Sequence, residues 1–445
     1  MSSPRRVHVE AKPGDRSPLL QSEINADASP LHLVLEPGIH RCGGVRLRSN
    51  VTLELTKGAE LHFIPDYEAY AGNSVSVVAE ESDRGMLVAS GASNIAIIGA
   101  GRIFGDGAGA FIVGEDADMG TLRAQKLRPR VIVLEDCRDV RIEGISIEDA
   151  PLWTMHLVGC ENVHVEGVFV DNNRRMPNTD GIVIDGCRNV LIVRSEFRTA
   201  DDGIVLKTTR RPDGSLTGAC EYITARDCLI ESHSCALKIG TESFAPFRNI
   251  SFEDIRIEKS NRGLGIFSRD GGLVDGVRFA RITLDCHETP AGFWGSGEAV
   301  TINTIERRPE EGPAGRVTNI TIEDVTGSME GAINLVAENP GEISSVVLRR
   351  VALRQLPGCF GTGLAYDIRP TPADRFDRFE EENATGRVNA WRFGPDGKII
   401  GLIDYPGGMP AVFAKDIEGL VMEDVTIDLP EALPQGWNAQ AVVLV

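Results

Sequence analysis

A unit made of a strand, a short break and a second strand recurs along the chain. Copies begin at Cys137, Cys160, Cys187, Cys220 and Phe247, and apolar and polar residues alternate in both strands of each copy. The third positions of successive units are 23, 27, 33, 27 and 27 residues apart. These positions are Asp139, Asn162, Asn189, Tyr222, Asn249 and Gly276. A repeat of about 20–30 residues that contains short strands predicts a solenoid.

The composition of the strands indicates which type of solenoid forms. They are rich in Val and Ile and are separated by Gly, Asn and Asp, while helical periodicity is almost absent. We therefore predict an all-β chain folded as a single-stranded parallel β-helix, in which matched positions stack about 4.8 Å apart. Asparagine at the third position suits left-handed backbone turns and stacked amides. The matched column Cys137, Cys160, Cys187 and Cys220 is interpreted as an interior ladder of small apolar side chains.

The organisation of the chain follows from where this repeat is regular. We expect residues 1–75 to form an N-terminal cap that leads into the coil, and residues 76–445 to form the β-helix. Loop insertions are predicted near 286–316 and 358–415, the second with a hairpin signal in residues 388–405. No linker that would separate two domains is apparent.

Charge and composition exclude several classes of protein. The net charge of −19 opposes binding to nucleic acid and to anionic membrane surfaces. No apolar run has the length of a signal peptide or of a membrane span of roughly 18 residues, so we expect a soluble, cytoplasmic protein. The 9 cysteines form no CxxC pairs, which argues against disulfides and zinc. No cofactor or metal is expected, and a homo-oligomer is compatible with the sequence.

One short phrase carries the candidate chemistry. Asp-Gly-Ile-Val occurs at Asp180 and again 22 residues later at Asp202, the second time preceded by Asp201. If 22 residues are one turn of the coil, the three carboxylates lie together. Like charges at this distance raise at least one pKa, so one group holds a proton while another is ionised, as general acid and base catalysis requires. A single Asp-Gly pair is ordinarily only a turn, but two in register with a third aspartate favour catalysis.

These residues resemble a known family. Asn178-Thr179-Asp180, followed one turn later by Asp201-Asp202, is similar to glycoside hydrolase family 28, the polygalacturonases and rhamnogalacturonases, which are right-handed parallel β-helices. "PLWTMH" at residues 151–156 is similar to the PxWxxH stretch of that family. The resemblance covers about residues 25–430. It implies hydrolysis of a glycosidic bond with inversion, in which Asp201 is the general acid and Asp180 and Asp202 orient and deprotonate the attacking water.

Two family motifs are altered in this chain. Ser232-His233-Ser234 stands where the family has GHG, with the histidine displaced, and one step along a strand would turn its side chain to the opposite face. Gly265 and Phe267 replace the two cations of the RIK motif. Their loss removes charge-assisted hydrogen bonds worth about 1.5–3 kcal/mol each. We expect an apolar wall at this position, suited to a neutral or deoxy sugar.

Further side chains are candidates for contact with substrate, although each is more commonly a solvated charge or a packed aromatic residue. The candidates for substrate binding are Asn178, His233, Lys207, Lys238, Arg269, Trp153, His156, Trp294 and Glu298. Further cations in adjoining turns are Arg174, Arg175 and Arg262.

The sequence therefore predicts a glycosidase that acts on a pectin-related or other oligosaccharide, exo-acting because the two long insertions would block one end of a groove. Two alternatives stay open. The first is a carbohydrate lyase or glycosyl transferase on the same fold, the lyase with calcium on the carboxylates and a basic residue as proton acceptor. The second is a β-helix that binds carbohydrate without catalysis.

Overall fold

The structure is a computed structural model that describes residues 3–110, 122, 127–289, 295–307, 309–358, 364–369, 395 and 401–445. It consists almost entirely of strands. The helices are α1 (Ser17–Asn25) and α2 (Gly107–Ala110), and short 3-10 turns span Tyr67–Tyr70 and Pro309–Glu311. No helix in these ranges is long and apolar enough to cross a membrane.

Most strands belong to one of two sheets, and all are numbered in chain order. The large sheet contains β1 (Arg5–Val9), β2 (Leu31–Leu35), β3 (Gly38–Cys42), β5 (Val51–Leu55), β6 (Ala59–Phe63), β9 (Ser93–Gly99), β10 (Arg102–Phe104), β12 (Arg138–Glu143), β13 (Ser146–Glu148), β15 (Glu161–Glu166), β16 (Phe169–Asp171), β18 (Arg188–Val193), β19 (Glu196–Thr199), β21 (Cys220–Arg226), β22 (Leu229–Ser232), β24 (Phe247–Ser260), β26 (Val274–Cys286), β28 (Val317–Met329), β30 (Ile343–Gln355), β34 (Ile417–Glu418) and β35 (Val421–Asp428).

The small sheet contains β4 (Val45–Arg46), β7 (Ser74–Ala79), β8 (Ser82–Ser90), β11 (Arg130–Glu135), β14 (Met155–Val158), β17 (Ile182–Asp185), β20 (Ile204–Thr208), β23 (Cys235–Ser243), β25 (Arg262–Ser268), β27 (Val300–Thr304), β29 (Ile333–Ala337), β33 (Val412–Lys415) and β36 (Val442–Leu444). Its strands pair in parallel with the next coil, except that β7 pairs antiparallel with β8. A separate antiparallel pair consists of β31 (Ala365–Asp367) and β32 (Leu402–Asp404).

The predicted parallel β-helix is confirmed by the register of these strands. Val140 pairs with Val163, which pairs with Val190 and then with Ile223 on the next coil. All four are buried in one continuous apolar core. Because side chains alternate along a strand, stacking equivalent residues fills the interior with a column of aliphatic side chains and leaves the polar residues outside.

Both predicted ladders are present. The third positions of the units have positive φ, from 54° at Asn189 to 73° at Gly276. The Asn189 amide donates to Asn162 Oδ1 at 3.2 Å, and the Asn162 amide donates to Asp139 Oδ1 at 3.1 Å. Cys137, Cys160, Cys187 and Cys220 are at most 1% exposed and lie in the apolar core. They are free thiols within the described residues.

The N-terminal end and the two predicted insertions depart from the regular coil. The parallel ladder already includes β1, which pairs with β2, while α1 covers this end with buried Leu20 and Ile24. The division at residue 75 stays a prediction. The predicted insertion at 286–316 is not one continuous loop, because β27 lies within it and pairs with β25 and β29. Residues 290–294 and 308 lie outside the described residues. Most of the predicted hairpin at 388–405 also lies outside them; its last residues form β32, paired with β31.

Candidate active site

Three aspartates meet at the edge of the small sheet where β17 and β20 begin. Ile182 pairs with Ile204, so Asp180 and Asp202 occupy equivalent positions on adjacent coils, and the Gly181 N–H donates to the Asp202 carbonyl at 2.9 Å. One oxygen from each of Asp180, Asp201 and Asp202 lies within 4.8 Å of the others. The predicted 22-residue turn therefore brings the three carboxylates together.

The hydrogen bonds of the three carboxylates differ. Asp202 accepts from Lys238 Nζ at 2.7 Å and from Ser234 Oγ at 3.0 Å. Asp201 Oδ1 accepts from the Asp202 backbone N–H at 2.9 Å. Asp180 Oδ1 is buried and has no hydrogen-bond partner among the described residues. One oxygen of Asp180 thus has an unused capacity to accept a hydrogen bond.

Burial and mutual repulsion keep protons on this cluster. The pKa of Asp180 is raised well above its ordinary value by burial and by the charges of Asp201 and Asp202. The pKa of Asp202 is also raised by burial, although the adjacent Lys238 ammonium opposes that rise. A group of carboxyls that shares protons in this way can supply both a general acid and a general base.

A chain of ion pairs borders the aspartates. Lys207 Nζ lies 2.5 Å from Glu242 Oε2, and Glu242 Oε1 accepts from Arg307 Nη1 at 3.3 Å. Arg307 Nε donates in turn to Asp270 Oδ1 at 2.9 Å. Burial alone would raise the pKa of Glu242, but Lys207 and Arg307 hold it well below its ordinary value. These cations already face carboxylates of the protein, so they are fixed in position and largely neutralised.

The floor beside the aspartates is apolar. Trp153, which is 7% exposed, packs with Leu152, Val183 and Val205. Lys207 Nζ lies 5.1 Å from the centre of the Trp153 ring. This places an amphipathic aromatic ring and a cation next to the carboxylates, a combination that suits a sugar ring with one apolar face.

His156 lies beneath that floor and has no exposed surface. Arg130 Nη1 lies 2.7 Å from its Nδ1, and its Nε2 lies 3.3 Å from Asp185 Oδ2. Burial, assisted by the Arg130 charge, lowers the pKa of His156 to about 4. A neutral imidazole therefore supports the Trp153 ring, whose centre is 4.9 Å from its own.

The hairpin of β7 and β8 covers one side of the floor. Its tip residues Glu80 and Glu81 have φ values of 47° and 63°, and Ala79 packs with the Trp153 cluster. Glu135 Oε1 accepts from the N–H groups of residues 76 and 77 at 2.7 and 3.0 Å. Arg130 Nη2 donates to the carbonyls of residues 77 and 82 at 2.7 and 3.1 Å. The hairpin is thereby tied to β11.

The tip of this hairpin brings a fourth carboxyl toward the aspartates. Burial raises the pKa of Glu80, with Arg128 opposing the rise and Asp201 adding to it. Arg128 is itself held by the Pro151 carbonyl at 2.9 Å and by Asn178 Oδ1 at 3.0 Å. The site is therefore enclosed by charged groups on the side of the N-terminal coils.

Comparison with known proteins identifies the family. The model of glycosyl hydrolases family 28 matches residues 46–357, which include all three aspartates. The chain belongs to glycosyl hydrolase family 28. It is 23% identical over 328 residues to an endo-polygalacturonase of Pectobacterium parmentieri, a match that covers 70% of this chain and 76% of the relative.

Solved structures of family 28 share the fold. A family 28 exopolygalacturonase of Yersinia enterocolitica superposes with a TM-score of 0.70 at 14% identity, covering 99% of this chain and 78% of the other. A hyperthermoactive exopolygalacturonase of Thermotoga maritima gives 0.62 at 22% identity, covering 79% and 87%. The coil is thus a right-handed parallel β-helix and, with the family established, the protein is a glycoside hydrolase.

Several residues predicted from the sequence lie around the aspartates. Lys238 contacts Asp202, Lys207 lies over Trp153, and Asn178, with φ of 57°, orients Arg128 through its side-chain oxygen. Lys238, Lys207 and Asn178 are 5–6% exposed. Their roles in substrate binding stay predictions, and Trp294 lies outside the described residues.

The histidine of the altered GHG motif does not align with Asp202. His233 is half-buried, its N–H donates to the Thr199 carbonyl at 3.1 Å, and burial together with the Arg174 charge lowers its pKa to about 4. Cys235 takes the aligned position instead. The Gly203 N–H donates to the Cys235 carbonyl at 3.0 Å, and burial together with the charge of Asp202 raises the pKa of this thiol.

The apolar wall expected from Gly265 and Phe267 is not exposed. A Cβ at Gly265 would lie 2.5 Å from Cε2 of Phe267, so the Phe267 ring folds back over the glycine. Lys238, Arg262 and Arg269 surround that ring at 5.5, 5.1 and 5.8 Å from its centre. The ring is 0% exposed because these cations enclose it. Phe267 thus fills the volume above Gly265 and supports the cations.

The other predicted cations are engaged in contacts with the protein. Arg269 donates to Asn303 Oδ1 at 2.6 Å, and Arg262 lies 3.0 Å from Asp367 and 3.6 Å from Glu298. Arg174 pairs with Asp171 and Glu231. Arg175 is exposed.

Reasoning from the sequence missed Glu80, Arg128, Glu242, Arg307 and Cys235. Each lies in a turn or strand that is distant from the aspartates in sequence, and the stacking of the coils brings it near them. The two glutamates between the alternating strands of "SVSVVAEESDRGMLV" were a signal for a hairpin with an acidic tip.

Proposed function

We propose that this family 28 enzyme hydrolyses a glycosidic bond of a pectin-related oligosaccharide with inversion, and that it acts from a chain end. The observation that carries the proposal is the buried cluster of Asp180, Asp201 and Asp202. Asp201 protonates the glycosidic oxygen as the bond breaks. Asp180 and Asp202 hold the attacking water and take its proton.

The spacing of the carboxylate oxygens supports direct attack by a water that they hold in common. Oxygens no more than 4.8 Å apart can all hydrogen-bond to one water, because each such bond spans about 2.8 Å. The separation is smaller than the roughly 6.5–9.5 Å common in inverting enzymes, so the proposal rests on the shared water and not on the separation. Asp180 Oδ1, which has no hydrogen-bond partner among the described residues, would accept a hydrogen bond from that water.

The β7–β8 hairpin supports action from a chain end. It is clamped by Arg130 and Glu135 and packs on the Trp153 floor, so it obstructs a chain that would run past the aspartates toward the N-terminal coils. Wherever Glu80 at its tip is ionised, its charge also repels a polyuronate in that direction. An oligosaccharide whose end stops at the hairpin meets neither obstacle.

The test of hydrolysis uses the wild type, Asp201→Asn and a control, Asp213→Asn. Among the described residues the Asp213 side chain bonds to Ser215, in an exposed turn. Each is incubated with a panel of pectic oligosaccharides, and the product anomer is read by NMR. We expect inversion by the wild type and by Asp213→Asn, and a loss of about 10²–10⁴-fold in Asp201→Asn. Retention of configuration would overturn the mechanism, and the absence of turnover of every glycoside would overturn the function.

Product length tests the direction of attack. With a long oligogalacturonide, we expect one short product to accumulate from the first minutes while intermediate lengths stay rare. A broad early distribution of lengths would contradict action from a chain end.

Calcium-dependent elimination is the second candidate, favoured by the clustered carboxylate oxygens. Ca²⁺ takes about six to eight oxygen ligands, whereas Asp202 already accepts from Lys238 and Ser234. Activity that survives chelation, without an unsaturated product that absorbs in the ultraviolet, supports hydrolysis. Loss on chelation with such a product supports the lyase.

A further inference from the structure

Glu242 lies between two cations beside the catalytic cluster. It accepts from Lys207 Nζ through Oε2 at 2.5 Å and from Arg307 Nη1 through Oε1 at 3.3 Å. The Glu242 side chain is 29% exposed, whereas the side chains of Arg307 and Lys207 are 17% and 7% exposed. The carboxylate is therefore the member of this set that solvent reaches most easily.

The strands that carry these residues connect them to the catalytic aspartates. Lys207 lies on β20, which follows Asp202, and Glu242 lies on β23 together with Lys238, which contacts Asp202. Burial alone would lower the pKa of Lys207, but the charges of Glu242, Asp180 and Asp202 raise it. The Lys207 ammonium is thus within electrostatic reach of two of the catalytic aspartates.

The charges of this set are balanced by the protein itself. Arg307 also donates through Nε to Asp270 Oδ1 at 2.9 Å, so the two cations face two carboxylates. A uronate bound here would have to displace Glu242 or lie beside it, and like charges at such a distance repel. Glu242 thus makes the charge-assisted contacts that a substrate carboxylate would otherwise make with Lys207 and Arg307.

The hydrogen-bonding capacity of Lys207 is less fully used than its charge. Within the described residues, its ammonium has Glu242 as hydrogen-bond acceptor and lies 5.1 Å from the centre of the Trp153 ring. An ammonium has three N–H donors, so donors remain in this part of the chain for a neutral acceptor such as a sugar hydroxyl.

We propose that Glu242 is a specificity-determining residue: it occupies the place of a uronate carboxylate between Lys207 and Arg307, so the sugar that binds against this set is neutral. The preferred substrate then carries a neutral residue beside the catalytic aspartates. The inference rests on the proposed hydrolysis for its link to the scissile bond, and it specifies the sugar class that the aspartates alone leave open.

Binding is tested in an inactive background, so that it does not depend on turnover. Asp201→Asn and Asp201→Asn/Glu242→Ala are titrated calorimetrically with digalacturonate and with its two derivatives in which one or the other carboxylate is reduced to a hydroxymethyl group. In Asp201→Asn, we expect one derivative to bind more tightly than digalacturonate. Removal of Glu242 should lower the affinity of that derivative relative to digalacturonate at least about ten-fold, because the vacated cations then hold the uronate.

Three results would overturn the proposal. They are tighter binding of digalacturonate than of both derivatives by Asp201→Asn, affinity ratios that Glu242→Ala leaves unchanged, and failure of both proteins to bind digalacturonate. If Glu242→Ala does not fold, Glu242→Gln replaces it and should shift the ratio in the same direction, and an unchanged ratio there has the same meaning.

Further variants separate the charge of Glu242 from a structural role. Glu242→Asp, which keeps the carboxylate, should keep the original preference, and adding Lys207→Met to Glu242→Ala should abolish the gain for digalacturonate. Glu221→Ala is the matched control, because Glu221 pairs with Arg248 on the large sheet and is 23% exposed. An equal loss of affinity for all three ligands in Glu242→Ala would assign a structural role and overturn the proposal. Failure of the wild type to hydrolyse any glycoside would instead refute the hydrolysis, while the affinity ratios judge Glu242 separately.

Discussion

At the scale of single residues, the ammonium of Lys238 sets the protonation of Asp202. Its Nζ is 2.7 Å from Asp202 Oδ2 and opposes the rise in pKa that burial causes. Removing it in Lys238→Met should raise the pKa of Asp202 further. Since the base must be ionised, we expect the acidic limb of the kcat/KM profile to move to higher pH.

The control for this prediction is Lys415→Met, which removes a lysine that is paired with Asp416 on a distant coil. Its pH profile should match that of the wild type. An acidic limb that stays in place in Lys238→Met, with a lower rate at every pH, would mean that Lys238 acts only on substrate binding.

The raised pKa of Asp180 also has a consequence for stability. A carboxyl whose pKa is higher in the folded than in the unfolded chain favours folding below its unfolded pKa, and that contribution is lost as the pH rises through the folded pKa. Asp180→Asn should therefore raise the thermal midpoint at pH 8 while it lowers activity by about 10²–10⁴-fold. Thermal unfolding measured by circular dichroism at pH 5 and pH 8 checks this, and the gain should shrink at pH 5.

Asp185, at the end of β17, provides the opposite case. Burial would raise its pKa, but hydrogen bonds with His156 and with the Thr209 and Thr217 hydroxyls lower it. Its contribution is present above the unfolded pKa and is lost as the pH falls through the folded pKa. Asp185→Asn should thus lower the thermal midpoint at neutral pH. If Asp180→Asn and Asp185→Asn shifted the midpoint in the same direction, the opposite pKa shifts of the two aspartates would be contradicted.

At the scale of elements, the effect of the acidic tip of the β7–β8 hairpin on substrate binding can be tested. Its two tip residues have positive φ, which Asn-Gly adopts readily in a two-residue hairpin turn. Replacing Glu80-Glu81 by Asn-Gly should preserve the hairpin and remove the carboxyl that faces Asp201. We expect KM for anionic oligosaccharides to fall roughly three-fold at low salt, with a smaller change in high salt, where the repulsion is screened.

Steady-state kinetics at two ionic strengths measure this effect, and a neutral glycoside serves as the control substrate. A KM that changes equally for the neutral and the anionic substrate would show that the hairpin shape, and not its charge, was altered.

The same hairpin marks the limit of prediction from sequence. The coil, the asparagine column and the meeting of Asp180 with Asp202 follow from a periodic pattern, because equal spacing along a β-helix becomes adjacency in space. Glu80 reaches Asp201 only through the clamp by Arg130 and Glu135, which no spacing reveals. Cys235 was missed because the motif was aligned on His233, whereas the strand register places Cys235 beside Asp202.

At the scale of the whole molecule, one apolar core runs through the coils from β1 to β33. Its ladders of equivalent residues explain why a chain of net charge −19 can stack its strands: in strands such as β12 and β15 the charged side chains alternate with the buried ones and face outward. Cytoplasmic location and homo-oligomerisation stay predictions of the sequence. The stacked cysteines allow a direct test of whether reagents in solution reach this core.

The thiolate is the reactive form of cysteine, and a thiol held in an apolar core resists ionisation. Burial raises the pKa of Cys220, and hydrogen bonding to Cys160 followed by burial raises that of Cys137. We expect Cys137, Cys160, Cys187 and Cys220 to stay unlabelled by iodoacetamide at pH 8 in the native protein, as read by peptide mass spectrometry. After denaturation all 9 cysteines of the chain should react. Rapid native labelling of this ladder would mean that the coils open locally, which a continuous core of stacked strands does not allow.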